Sequence, residues 1–150
     1  VNVAVGLGCD RGTPLATLQD ALRAALAQAG ALAPDVVAAA SITLKADEAG
    51  LLALAAKQGW AMTFFTPAQL AGVPVPNPSE TVRRYTGTPS VSEAAALLAG
   101  ARVFGHEQAL PMTALLVEKF KHRGADGRNA TVSIARCDSF LFLTPERSTP

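Results

Sequence analysis

Three short apolar runs, residues 2–7, 36–42 and 60–65, are each followed by a stretch with helical spacing or a helix start. Such alternation buries strands on both faces, and right-handed crossovers lay them parallel with helices against the sheet. The order predicts an α/β fold, a three-layer α/β/α sandwich on a mixed, largely parallel sheet. In the first helix Leu15, Leu18, Leu22 and Leu26 recur at intervals of three and four. Thr13 is the expected N-cap with Pro14 in the first helical position, and Gly30 the expected C-terminal cap. A second helix is expected over Ala49–Gln58, stopped by Gly59, and Thr66-Pro67 opens a short third before the Pro-rich residues 73–78.

The second half is more local. Asn77-Pro78-Ser79-Glu80 has the residues of a cap, a proline at the first helical position and an acid at the third. Ser90-Val91-Ser92-Glu93 reads as a capping box, so two short helices separated by Gly87 are expected. Residues 112–118 and 130–137 are strand-like, and the polar stretch between them predicts an antiparallel hairpin at the sheet's edge. One domain over residues 1–137 follows, with 138–150 a C-terminal tail in which Phe140 to Leu143 pack on the body and Glu146 to Pro150 fray. The abundance of alanine reads as compositional bias.

The 13 basic and 12 acidic residues leave a net charge of +1, so no broad field recruits nucleic acid or an acidic membrane, and an anionic ligand must be met locally. Cys9 and Cys137 are too few for a stapled scaffold and lack metal-site spacing, so both are expected as free thiols. His106 and His122 have no ligand companions, and neither a metal nor a cofactor is expected. With no leader and no apolar run long enough to span a bilayer, the expected location is cytoplasmic, and the Asn129-Ala130-Thr131 sequon is read as accidental.

Gly6, Gly8 and Gly12 surround Cys9, Asp10 and Arg11 where the first strand ends. The spacing matches neither a dinucleotide fingerprint nor a P-loop. Two readings stand: a cradle in which backbone amides and Arg11 hold a carboxylate or phosphate, or a tight strand-to-helix turn with no ligand. Cys9, placed at the helix entrance, is either a thiolate nucleophile or a small buried hydrophobe. Lys45 and Glu48 form either a ligand-facing charge pair or an exposed pair at a helix entrance. Glu80 and Glu93 are acid/base groups or structural residues of helix starts. Lys119, Lys121, His122, Arg123 and Arg128 make a basic hairpin that either clamps a polyanion or guards an edge strand.

Taken in order, several stretches resemble the CobE/CbiG C-terminal family of cobalamin biosynthesis. They are Gly6 to Gly12, Lys45 to Leu51, Pro78-Ser79-Glu80, Gly87 to Ala95, Lys119 with Lys121, and Thr131 to Arg136. Asp10 departs from the pattern, since relatives often carry a basic residue there. Members of the CbiG type open the δ-lactone of a cobalt-precorrin and release a two-carbon fragment. The stretches match only the C-terminal domain of that type and lie nearer the stand-alone CobE type. The resemblance therefore implies binding or carriage of a corrin or precorrin intermediate, with other cobalamin-pathway enzymes as partners in hand-over. Gly6, Gly8, Arg11, Gly12, Lys45, Ser79, Ser90, Lys119 and Lys121 are the implied binding residues. In the hydrolase alternative Cys9, Glu48 or Glu93 would be catalytic. A corrin precursor is a flat apolar ring edged with carboxylates, which suits a greasy cleft rimmed by isolated cations.

Overall fold

The computed structural model describes residues 1–138. Five strands, β1 (Val3–Cys9), β2 (Val36–Ile42), β3 (Met62–Phe65), β4 (Leu115–Arg123) and β5 (Asn129–Arg136), form one sheet in the order β3-β2-β1-β5-β4. The first three run parallel, whereas β5 pairs antiparallel with both β1 and β4, so the sheet is mixed. The helices are α1 (Leu15–Ala29), α2 (Ala49–Gln58), α3 (Pro67–Ala71), α4 (Glu80–Thr86) and α5 (Ser92–Val103). The expected packing of Phe140 to Leu143 and fraying of Glu146 to Pro150 lie outside the described residues.

The two faces of the sheet are packed differently. Val3, Val5 and Leu7 of β1, with Val132 and Ile134 of β5, point toward α1 and α2, where Leu18, Leu22, Leu51 and Leu54 meet them. Alternation sends Ala4 and Gly6 to the opposite face, against α5. There the helix comes unusually close: a Cβ on Gly6 would lie 1.9 Å from the backbone oxygen of Ser92. Glycine in a strand permits such an approach. All of Ser92 to Ala101 is buried, so the alanines expected as compositional bias are small because the layer is thin.

Several helix starts differ from expectation. Pro14, not Thr13, stands at the N-cap of α1, and the Thr13 hydroxyl instead donates to the carbonyl of Asp10 at 2.7 Å. Ser79, not Asn77, caps α4, accepting the N–H of Val82 at 3.2 Å. The expected capping box at 90–93 is absent as such: Val91 stands at the N-cap of α5, and the Ser90 hydroxyl donates to the Glu93 carboxylate at 3.1 Å. Each of these three side-chain bonds stays local, to a partner three residues away, so the start of the helix shifts while the bonding remains short-range. Gly30 and Gly59 do end α1 and α2, with φ of 69° and 75°.

Candidate functional site

The chain runs outward from β1 through β2 to β3 and then returns to the other side of β1, which opens a crevice at the carboxyl end of β1. A cavity of about 440 Å³ lies there. Gly8, Cys9, Asp10 and Arg11 enter from the end of β1, Ile42 and Lys45 from the end of β2. Lys119 and Lys121 of β4 and Asn129 and Thr131 of β5 supply another wall. Thr81, Val82, Tyr85 and Thr86 of α4 complete it, with Val91 and Ser92 at the start of α5.

Six of the residues picked out from the sequence, Gly8, Cys9, Arg11, Lys45, Lys119 and Lys121, thus line one space. Among the described residues, no carboxylate makes an ion pair with Lys45, Lys119 or Lys121. Three ammonium groups are therefore available to a ligand's anions at no cost in broken ion pairs. A β-bulge in β4 between Val117 and Phe120 sets Glu118 and Lys119 together against the single residue Ser133 of β5. Bulges of this kind re-aim side chains beside binding sites.

The glycine-rich turn is already engaged. Gly12, with φ of +80°, donates its N–H to Glu48 Oε2 at 3.0 Å. Arg11 Nη1 lies 2.9 Å from Asp47 Oδ1 and 3.1 Å from Glu48 Oε1, while its Nη2 donates to the Leu44 carbonyl at 3.0 Å. The Glu48 Oε1 contact is an ion pair without hydrogen-bond alignment, since that buried oxygen has no hydrogen-bond donor among the described residues. The Arg11 hydrogen bond holds the Asp47 carboxyl below the usual carboxylate range. The turn thus cradles a carboxylate, but it belongs to Glu48 at the start of α2.

Gly6, Gly12, Glu48, Ser79, Ser90 and Glu93 are not among the lining residues. Gly6 accommodates α5, Ser79 caps α4, and Glu93 is completely buried, with its Oε1 accepting from Ser90 and its Oε2 from Asn77 Nδ2 at 2.7 Å. Cys9 lies within β1 rather than at a helix entrance, and burial pushes its thiol up to about 11 despite the opposing charge of Lys45. Of its two readings the small buried thiol suits this place better, because the helix terminus that would favour a thiolate lies further along the chain. Of the basic hairpin, Lys119 and Lys121 face the cavity, while Arg128 Nε donates to the Arg11 carbonyl at 3.0 Å and so braces the turn.

Tyr85 and Asn77 escaped the sequence reading. Tyr85 is the sequence's single tyrosine and sits four residues after Thr81, both on the cavity side of α4; that spacing was the available sign. Asn77, expected as a cap, instead bonds to Glu93 and to Glu118.

An α/β domain with a cation-lined cavity at the carboxyl end of its central strand is the class that fold and site define. Residues 3–135 match the family described as cobalamin synthesis G C-terminus, and the chain belongs to that family. It is similar to the cobalt-precorrin-5A hydrolase of Priestia megaterium, with 41% identity over 96 residues, 64% of this chain and 26% of that protein. Protein CobE of a Sinorhizobium species is 36% identical over 103 residues, 67% of each chain. The crystal structure of CobE, a protein from the cobalamin (vitamin B12) biosynthetic pathway, superposes with a TM-score of 0.72 at 31% identity, covering 91% of this chain and 92% of that one. The chain spans about a quarter of the hydrolase's length but most of the solved CobE chain. A role in cobalamin biosynthesis follows. No described helix is long and apolar enough to cross a membrane.

Proposed function

We propose that the chain binds a carboxylate-rich tetrapyrrole, a precorrin or late corrin intermediate, as a carrier or accessory factor of the pathway. The observation that carries this reading is the convergence of Lys45, Lys119 and Lys121, each without an ion-pair partner among the described residues, on a cavity that also offers Ile42, Val82, Val91 and Tyr85. Ammonium groups suit peripheral carboxylates, and the apolar side chains suit the ring. The volume of about 440 Å³ falls in the lower half of the roughly 300–1,000 Å³ usual for ligand pockets. A macrocycle would therefore be gripped along one edge, leaving the other open for hand-over to a pathway enzyme.

The similarity to a hydrolase keeps a second reading, opening of a precorrin lactone. The site offers it little: Cys9 is held as the neutral thiol, Glu48 is engaged by Gly12 and Arg11, and Glu93 is sealed from solvent. None of these is poised as a base or nucleophile facing the cavity.

A spectral titration of the protein with late precorrins and hydrogenobyrinic acid, followed by size exclusion, tests both. Co-elution of unchanged pigment that weakens in Lys45→Ala supports the carrier. A product of altered mass supports the hydrolase, and failure to retain pigment at micromolar concentration overturns direct binding.

A further inference from the structure

Residues 77–90 leave the body of the domain and return to it through a narrow neck. The Ser79 N–H donates to the Pro89 carbonyl at 2.8 Å, which closes the neck through the backbone. Below that bond, the fully buried carboxylate of Glu93 takes one donor from each side: Asn77 Nδ2 at 2.7 Å on Oε2 and the Ser90 hydroxyl at 3.1 Å on Oε1. Asn77 Nδ2 also donates to Glu118 Oε1 at 3.0 Å, so the neck is tied to β4 beside Lys119.

Beyond the neck the packing thins. α4 contains no buried residue, whereas Ser92 to Ala101 of α5, two residues past the neck, are all buried. Tyr85 lines the cavity yet remains 76% exposed, and α4 ends at Gly87 with φ of +84°. A helix with few buried contacts, held at its base and lying beside Pro67 of α3 where Gly87 ends it, opens locally at a cost well below global unfolding. An aromatic face left that exposed beside a cavity gains most when a flat apolar ligand covers it.

We infer that residues 80–87, hinged at this neck and returning to the buried Thr88 and Ser90, are a lid that swings over the cavity as one body, and that Glu93 is its positioning residue, latching both ends of the neck without touching the ligand. The closing of the lid on a ligand rests on the binding reading above. The latch itself is a property of the free protein. Glu93 is thereby given a role its burial allows: it fixes where Thr81, Val82, Tyr85 and Thr86 stand relative to Lys119 and Lys121.

Hydrogen exchange followed by mass spectrometry on the whole chain tests this. In the free protein, amides of residues 80–87 should exchange at least a hundredfold faster than those of 95–103. Glu93→Gln should speed exchange at 80–87 severalfold further while leaving residues 18–26 of α1 unchanged. Should the buried substitution impair folding, Asn77→Ala, on the exposed side of the neck, should give the same localised effect. Exchange in α4 as slow as in α5, or acceleration spread evenly over the chain in both variants, overturns the lid and latch. Saturation with hydrogenobyrinic acid should slow exchange at 80–87 by tenfold or more. Bound pigment with no protection there overturns closure while the binding reading stands. Failure to retain pigment overturns the binding reading instead, and the free-protein exchange then decides for or against the lid.

Discussion

The backbone N–H of Gly12 donates to Glu48 Oε2 at 3.0 Å, joining the loop after β1 to the start of α2. The chain thereby supplies from within the anion that its glycine-rich turn is built to receive. Arg11 is occupied from the same direction by Asp47 and Glu48. The turn organises the cavity floor, while Lys45, Lys119 and Lys121 line the cavity without an ion-pair partner among the described residues.

Removing that internal carboxylate should be costly. Glu48 is nearly buried, so Glu48→Ala strips the Gly12 N–H of its acceptor and should lower stability by about 1.5–3 kcal/mol, the usual worth of a hydrogen bond to a charged group. Glu48→Gln, which keeps an acceptor oxygen, should lose less. Urea unfolding of the two variants beside the parent measures both, and a loss below about 0.5 kcal/mol in the alanine variant would show that the turn holds itself.

Gly6 and Gly8 stand two residues apart on the same face, yet they should respond unequally to alanine. A Cβ at Gly6 meets the Ser92 oxygen at 1.9 Å, whereas one at Gly8 meets Val91 at an ordinary 3.8 Å. Gly6→Ala should cost about 1–3 kcal/mol or more by forcing α5 outward, and Gly8→Ala should stay within about 0.5 kcal/mol of the parent. Equal thermal midpoints for the two would contradict the close approach of α5.

The two thiols set an alkaline limit. Burial pushes both Cys9 and Cys137 up to about 11 from 9.0. A raised thiol contributes its full stability below the unfolded value, and that contribution is lost as pH rises, because the unfolded chain ionises first. Stability should therefore decline between pH 9 and pH 11, and less steeply in Cys9→Ala. At pH 8 alkylation of Cys9 by iodoacetamide should run about a hundredfold slower than that of an unhindered thiol; rapid labelling would restore Cys9 as a candidate nucleophile.

Lys119 and Lys121 separate binding from folding. Neither forms an ion pair among the described residues, so replacing both with alanine should shift unfolding by no more than about 0.5 kcal/mol. Affinity for hydrogenobyrinic acid should fall about tenfold per lysine, and the parent's affinity should weaken steeply with salt. Isothermal titration at two ionic strengths reads both effects. Undiminished affinity in the double variant would move the carboxylate contacts elsewhere.

What could be read from the sequence was what local chemistry decides. β2 and α2 begin and end where expected, because Gly59 ends the helix and the strand is a short apolar run flanked by polar residues. The hairpin and the mixed sheet followed from the same logic, and Lys119 and Lys121 stood out as charges on the hairpin, while their place beside a ligand came only with the family resemblance. The caps failed where a side chain had another partner, near or far along the chain. Thr13 bonds back to Asp10 and lies close to Asn129, and Asn77 reaches across to Glu93 and Glu118. Gly6 was expected in a ligand cradle or a tight turn, and only the fold shows that it makes room for α5.

The unequal faces of the sheet divide the chain's mutational tolerance. On the α1 and α2 side, branched and long side chains interlock and can exchange volume with their neighbours. Toward α5, alanine and glycine leave no such reserve, and Gly100 would bring a Cβ to 2.6 Å from Leu110. Random libraries over Val3, Val5, Leu18 and Leu22 should return many folded combinations, while libraries over Ala4, Gly6, Ala96 and Gly100 should collapse toward the parental residues. Substitutions should then accumulate on one side of a plane, and the cavity wall formed by Val91 and Ser92 rests on the side that resists them.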